Sequence, residues 1–544
     1  MKKNFLLLII IILIVSGLNF NSYNFIGKAS ENEWLSLSPM PTKRGEHGIA
    51  EFDGKIFVIG GQNENGNLDK NEVYDIATGT WSQKASMPTA RSSFSIAVFQ
   101  SKIYCFGGIT GNIDNPELTS LTEVYDPITD EWEVKTSMPT ARADLSANIV
   151  NDAIYLIGGK KFTGINPYYQ QVNNNEVYFP GNDSWISKSP MFIPVFGYGS
   201  AVIEGKIYIL GGARQFEEGG TATAVQFNQM YDPKIDAWRN LAAMPTAKSH
   251  GASGITIGIT APILIYYIGG MNHQGYSNTN YAYNIENNNW TIAEPLPIPR
   301  ANMALARFDD VFFVIGGFDG NIWLDINEQY TPLEYGTILP KLSIISPENK
   351  IYPSNNVSLI ISVNRATSWI GYSLDDKPNA TTNGDKILVG LNDGSHKIIV
   401  YINDTFGNTI CSNVTYFSVD TKPPTISVLS PENKTYRELD VHSTIIIDEP
   451  VSWLGYSLDG QETITIAGNI TLAVLPEGSH CINFYATDVV GNTGNSETVF
   501  FNIAPFPILL ILSLSLIIII IIMGVYLVAT RNKGKNKTKN TLKN

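Results

Sequence analysis

Cysteine is nearly missing from this chain: of 544 residues only Cys105, Cys411 and Cys481 carry a thiol. Three scattered thiols exclude a disulfide framework and a cysteine-rich zinc centre. Charge is also sparse, at 16% of residues, and it leans acidic, with 37 bases against 50 acids and a net of -13. A nucleic-acid binder needs a basic surface to displace counterions from phosphates, so that class is excluded. The sequence has no HExxH, P-loop, nucleophile elbow or dinucleotide fingerprint, and no metal or cofactor is expected. Apolar and aromatic residues are plentiful, at 44% and 11%, which excludes a mostly disordered chain. The 46 glycines, 28 prolines and 26 tyrosines point to short strands separated by turns. The length calls for two to four domains.

Long apolar runs lie at the two ends. Met1, Lys2 and Lys3 precede an apolar stretch from Phe5 to Val15, the pattern of a secretory signal peptide, or of an uncleaved signal anchor, over residues 1–30. Ile508 to Ala529 is free of charge, and as a helix it spans about 33 Å, the thickness of a bilayer core. Arg531, Lys533, Lys535, Lys537, Lys539 and Lys543 follow it without an acid. By the positive-inside rule residues 505–530 form a single span of the cell membrane, 531–544 a cytoplasmic tail, and the rest an ectodomain outside. All 50 acids fall in that ectodomain with 28 bases, a net of -22. Asn182, Asn289, Asn356, Asn379, Asn403, Asn413, Asn433 and Asn469 begin Asn-x-Ser/Thr glycosylation sequons there.

Between the ends the sequence repeats. Gly-Gly pairs follow apolar strands at Gly60, Gly107, Gly158, Gly211, Gly269 and Gly316. A tyrosine comes after each, at Tyr74, Tyr125, Tyr178, Tyr231, Tyr283 and Tyr330. Seven residues beyond the first five stand Trp81, Trp132, Trp185, Trp238 and Trp290. From each tryptophan to the next Gly-Gly is 26 residues, except 31 after Trp238, where SGITIGITAPI carries an insertion. Position 337 is threonine, and the missing tryptophan is Trp34, near the N-terminus. The N-terminus therefore supplies the last strand, and six four-stranded units close into a ring without free sheet edges. This pattern resembles the kelch repeat, which implies an all-β fold with a six-bladed kelch-type β-propeller over residues 31–338. In that reading the six glycines are structural and the tyrosine and tryptophan rings pack between blades.

One mouth of the ring collects distinctive residues. A base stands ten residues after each tryptophan at Arg44, Arg91, Arg142, Lys248 and Arg300, with Val195 the exception. Two residues on come Glu46, Ser93, Asp144, Gly197, His250 and Asn302, small or polar where the first strand faces the channel. The loop from Gly-Gly to tyrosine is longest in units two to four, and holds Tyr168, Tyr169, Arg214 and Glu217. A binding surface for a protein or glycan is expected at this mouth, a common binding surface in kelch domains, with the bases and these four loop residues as candidates. The alternative for each Pro-x-x-Arg is a turn cap or a pair with a neighbouring acid.

From residue 339 an 84-residue repeat takes over. Ser346-Pro347-Glu348-Asn349-Lys350 returns as Ser430-Pro431-Glu432-Asn433-Lys434, and Trp369 returns as Trp453. Residues 339–420 and 421–504 resemble tandem Ig-like modules of prokaryotic cell-surface proteins, implying two β-sandwiches with a core tryptophan that serve as a stalk. Asp404, Gly407 and Asn408 return as Asp488, Gly491 and Asn492; such turns suit calcium, but without a full calcium loop a bare turn is the expectation. His396 and His480 are expected to be structural.

A kelch propeller followed by an Ig-like domain also resembles galactose oxidase, which implies copper held by two histidines, two tyrosines and a tyrosine joined to cysteine. Six scattered histidines and a strand-borne Cys105 do not match that set. Six-bladed kelch sugar mutarotases, which work with Glu and Arg, give a second enzymatic alternative, with Glu217 and Arg214 as candidates. The primary expectation is a membrane-anchored surface binding or adhesion protein, and no catalytic residue is assigned.

Overall fold

In the computed structural model, which describes residues 30–112, 114–162, 169–216, 220–504 and 508–537, the apolar run before each Gly-Gly pair is the second strand of a four-stranded antiparallel sheet. The first sheet runs Gly48–Phe52, Lys55–Ile59, Asn71–Asp75 and Thr80–Gln83. Six such sheets are present among the described residues. Their first strands begin at Gly48, Ser95, Ser146, Gly199, Ala252 and Ala304, and each touches the next, the last touching the first, so they ring a channel. The sixth sheet takes its fourth strand, Glu33–Ser36, from the other end of the domain, with Trp34 opposite Tyr330. Residues 1–29, Tyr168, Glu217 and 538–544 lie outside the described residues.

The tyrosine and tryptophan of each unit are cross-strand partners, as in Tyr74 opposite Trp81 and Tyr178 opposite Trp185. Their ring centroids lie 4.8 to 5.2 Å apart around the ring. Each indole N–H donates to a backbone carbonyl of the preceding unit: Trp81 to Ser38, Trp132 to Ala85, Trp185 to Thr136, Trp238 to Ser189, Trp290 to Ala242 and Trp34 to Glu294, all at 2.9 to 3.1 Å. The aromatic pair thus fills the space between sheets and satisfies its own polar atom there. Gly107 shows why glycine ends the second strand. Its φ is +62°, and a Cβ would stand 2.5 Å from the Arg142 carbonyl, which accepts the N–H of Gly108 at 2.9 Å.

The chain separates into two compact units, the first running through Lys341 with residues 363–368 and 403–410, the second holding the remainder. In the second unit, the second C-terminal repeat builds a six-stranded sheet from Thr435–Tyr436, Val499–Ile503, Gly478–Asp488, Val451–Leu458 and Ile464–Thr465, with Thr493–Asn495 also paired to Gly478–Asp488. Its core is Leu454, Ile482, Phe484, Ala486 and Phe501. The expected core tryptophan is not there. Strand alternation turns Leu454, Tyr456 and Leu458 inward, so Trp453 faces outward, lies over Gly455 and donates to the Thr465 hydroxyl at 3.1 Å. The helix Ile508–Lys537 contains Leu512–Arg531, with a mean hydropathy of 2.8, long and apolar enough to cross a membrane.

His396 and His480 hold matching places in the two C-terminal repeats. His396 sets Nδ1 2.8 Å from Asp375 and Nε2 2.7 Å from the Asn392 carbonyl; His480 sets the same atoms 2.8 Å from Asp459 and 2.8 Å from the Pro476 carbonyl. Two acceptors on one imidazole favour the doubly protonated ring. Burial opposes that charge, yet the carbonyl and carboxylate raise both pKa values. A raised folded pKa contributes stability that is complete below the unfolded value of about 6.5 and is lost as pH rises through the folded value. The urea midpoint of these repeats is therefore expected to fall between about pH 6 and pH 8, and His396→Gln with His480→Gln to flatten that dependence.

Candidate functional site

The channel mouth is built on the residues two places after each base. Glu46, Ser93, Asp144, Gly197, His250 and Asn302 all have φ between +52° and +58°. This left-handed backbone turns their N–H and C=O groups around the channel. Ser93 donates to the Glu46 carbonyl (2.9 Å), Asp144 to Ser93 (3.0 Å), Gly197 to Asp144 (3.0 Å), His250 to Gly197 (2.6 Å), Asn302 to His250 (2.9 Å), and Glu46 back to Asn302 (2.8 Å). Six backbone hydrogen bonds thereby close on themselves. The same six residues line a cavity of about 140 Å³, joined by their successors His47, Phe94, Leu145, Tyr198, Gly251 and Met303.

Charge is concentrated on one side. Lys160 Nζ lies 2.5 Å from Asp144 Oδ2, and His250 Nε2 lies 3.6 Å from the same oxygen. Glu46 accepts from the Ser93 hydroxyl at 2.7 Å and from Asn302 Nδ2 at 3.2 Å. Burial alone would raise the Asp144 carboxyl, but Lys160 and His250 hold it well below the usual carboxylate range. Burial and then Asp144 push the Glu46 carboxyl up. The Lys160 ammonium is raised, against its burial, by Asp144 and Glu46. It also sits 4.5 Å from the centre of the Tyr169 ring and 5.6 Å from that of Phe196. The mouth therefore presents a fixed ion pair, a second buried carboxyl and an aromatic wall, able to seat a small polar group.

The wall rises above the channel as two-stranded hairpins. Lys160–Phe162 pairs with Tyr169–Gln171, and Ala213–Arg214 with Thr223–Ala224. Gln171 and Gln215 tie these two together, Gln171 Nε2 donating to the Gln215 carbonyl (3.0 Å) and the Gln215 N–H returning to Gln171 Oε1 (3.1 Å). Arg214 is half-buried and packs 5.0 Å from the Phe216 ring centre, and Phe216 is 65% exposed.

Of the residues expected at the site, Tyr169 is brought to the charged cluster and Arg214 to the wall. The four arginines are placed elsewhere. Arg44, Arg91, Arg142 and Arg300 are fully buried and bonded to Glu72 (2.8 Å), Glu123 (3.2 Å), Glu176 (2.7 Å) and Glu328 (2.7 Å) on the third strand of their own sheets. In three of these the threonine two residues earlier holds the same carboxylate: Thr42 to Glu72, Thr89 to Glu123 and Thr140 to Glu176, at 2.6 to 2.7 Å. The Pro-Thr-x-Arg loop is thus a clamp on a buried glutamate, and its guanidinium is spent inside the sheet. Where Val195 replaces arginine the glutamate becomes Gln229, which exchanges two hydrogen bonds with the Ile193 backbone. Where Lys248 replaces it the position is Tyr281, whose hydroxyl meets that of Thr246 at 3.1 Å. Cys105 is buried in its strand, and burial pushes its thiol up to about 12, which leaves it inert.

Lys160 is the residue that the sequence reading missed. Its signal was the position directly after each Gly-Gly, which reads Gln62, Ile109, Lys160, Ala213, Met271 and Phe318, a single charge among six. That position bridges the residue before each ring position, as in Lys160 with Ala143.

Comparison with known proteins agrees with this architecture. The family model described as Attractin/LZTR1 beta-propeller matches residues 56–327, half of the chain. The chain belongs to this β-propeller family. Curated relatives are kelch-like: Kelch-like protein 24 of Rattus norvegicus is 38% identical over 44% of this chain and 37% of its own length. Kelch-like protein terF of Aspergillus terreus is 31% identical over 37% and 43%, and Kelch-like protein 40 of Xenopus tropicalis 28% identical over 38% and 31%. The chain thus spans less than half the length of these relatives. A solved structure titled "Structure of YjhT" is 16% identical, with a TM-score of 0.45, over 54% of this chain and 96% of its own.

The clamp makes a sharp energetic expectation. Arg142→Ala leaves Glu176 buried and unpaired, costing about 3–5 kcal/mol. Arg142→Val with Glu176→Gln copies the Val195 and Gln229 pair and is expected to recover most of that loss in urea unfolding.

Proposed function

We propose that this chain is a membrane-anchored surface protein whose six-bladed propeller binds a protein through the mouth that carries Lys160, Tyr169 and Phe216. A kelch-like propeller points to protein binding in general, and the chain has a candidate membrane helix after its last strand. The observation that carries the reading is the lopsided mouth. The hairpins of the third and fourth units are locked together beside a polar cavity, and the exposed Phe216 stands against Arg214, an aromatic anchor next to a cation, the residue types enriched in protein interfaces. The two C-terminal repeats, read as Ig-like modules, would hold the propeller away from the bilayer, with the basic tail on the cytoplasmic side. The enzymatic alternatives receive no support from this geometry: Arg214 packs on Phe216, and no histidine, tyrosine and cysteine set is assembled around Cys105 among the described residues.

Full-length protein in lipid nanodiscs, incubated with solubilised cell-surface proteins and in parallel with a glycan array, tests the reading. Binding of a protease-sensitive component is expected, weakened at least about tenfold by Phe216→Ala with Tyr169→Ala. Ile128→Ala, 75% exposed on the turn between the third and fourth strands at the opposite face, is the control and is expected to bind as the parent. Equal loss in the control, or none in the mouth variant, would move the site elsewhere.

A further inference from the structure

The two C-terminal repeats share an aspartate-closed turn but differ in the charge placed around it. In the first repeat Asp404 closes its turn by accepting from the N–H groups of Phe406 and Asn408 on Oδ1 and from Asn408 Nδ2 on Oδ2, at 2.8 to 2.9 Å. Its Oδ2 also takes a cation: Arg365 Nη2 lies 2.6 Å away. The same guanidinium donates to the carbonyl of Ile338, in the segment entering the repeat, and to that of Ile259 at 2.9 Å. Arg365 therefore ties entering segment, loop and turn together.

Counting forward 84 residues, Asp488 closes the equivalent turn by accepting from the N–H groups of Val490 and Asn492 and from Asn492 Nδ2, and in addition from the Gly491 N–H, whose counterpart in Gly407 goes to the Asp404 backbone carbonyl. Asn492 Nδ2 reaches the entering segment at the Asp420 carbonyl, as Asn408 does at Gly336. At the position of Arg365, however, stands Glu449, and at that of Gly336 stands Asp420. Asp420, Glu449 and Asp488 bring one carboxylate oxygen each within 4.8 Å of one another. Asp488 is fully buried, and among the described residues no lysine or arginine pairs with any of the three. A fold that in one copy seats a cation on this buried carboxylate has, in the other, gathered two further carboxylates around it.

We propose that Asp420, Glu449 and Asp488 form a calcium site, in which Ca²⁺ does for the second repeat what the Arg365 guanidinium does for the first. Hard carboxylate oxygens from three chain segments, in irregular geometry, suit Ca²⁺ better than the strict octahedron of Mg²⁺. The bound ion joins the entering segment, the loop and the turn of one repeat.

Calorimetric titration of the full-length protein in nanodiscs with CaCl₂ is expected to show one site of Kd about 10⁻⁴–10⁻³ M, and thermal unfolding of the repeats to shift upward with Ca²⁺. Asp420→Asn should weaken binding at least about tenfold. Glu449→Arg installs the first repeat's own cation; it is expected to abolish Ca²⁺ binding while raising the calcium-free unfolding temperature to at least that of the parent, so loss of binding cannot be ascribed to misfolding. Absence of both heat and thermal shift at millimolar Ca²⁺ would overturn the proposal. So would binding that survives both variants, or equal affinity for Mg²⁺.

Discussion

The circle of six backbone hydrogen bonds at the channel mouth is the constraint on which the rest of the ring depends. Each N–H at Glu46, Ser93, Asp144, Gly197, His250 and Asn302 takes its acceptor from the unit before it, so no unit completes its own polar groups. Five of these residues are not glycine, and each carries a left-handed backbone that costs about 1–2 kcal/mol. That cost is met because the closed circle satisfies groups that would otherwise be buried without partners. The circle also aims the five side chains at the channel, which is why a structural device produces a polar cavity.

Burying charge is the second theme. Four guanidinium–glutamate pairs lie inside the sheets, and burial of that kind is tolerated only when partners are close and further hydrogen bonds complete them. Threonines clamp three of the glutamates and strand carbonyls take part of the guanidinium N–H groups, while Nε of all four arginines stays buried without a partner among the described residues. Units four and five act as natural controls, because arginine and glutamate leave together: Val195 comes with Gln229 and Lys248 with Tyr281. Paired replacement of this sort identifies the arginines as architecture, whereas Lys160, which has no charged counterpart in the other units, sets the third unit's side of the mouth apart from the rest of the ring.

The C-terminal repeats show how two replacements change the charge around a turn that both share. The turn geometry around Asp404 and Asp488 is the same, and so are the histidine pairs His396–Asp375 and His480–Asp459. Arg365 against Glu449 alone decides whether the repeat carries its own cation.

Local periodicity was enough to read an all-β chain with a β-propeller domain. The spacing of Gly-Gly, tyrosine and tryptophan, with Trp34 displaced to the N-terminus, determined sheet count, strand order and closure, because these depend on alternation and turn chemistry that each segment carries by itself. The polar ring positions from Glu46 to Asn302 were legible for the same reason. What the sequence left open was direction. A Pro-x-x-Arg loop is compatible with a guanidinium facing solvent or folded back onto its sheet, and a strand tryptophan with either face of a sandwich. Only the tertiary structure decided these, by setting Glu72, Glu123, Glu176 and Glu328 within reach of the arginines and by turning Leu454 inward in place of Trp453. It alone brought Lys160 to Asp144 and His250, and Asp420 and Glu449 to Asp488, since contacts between residues dozens of positions apart are set by how sheets and loops pack, not by the pattern within any one of them.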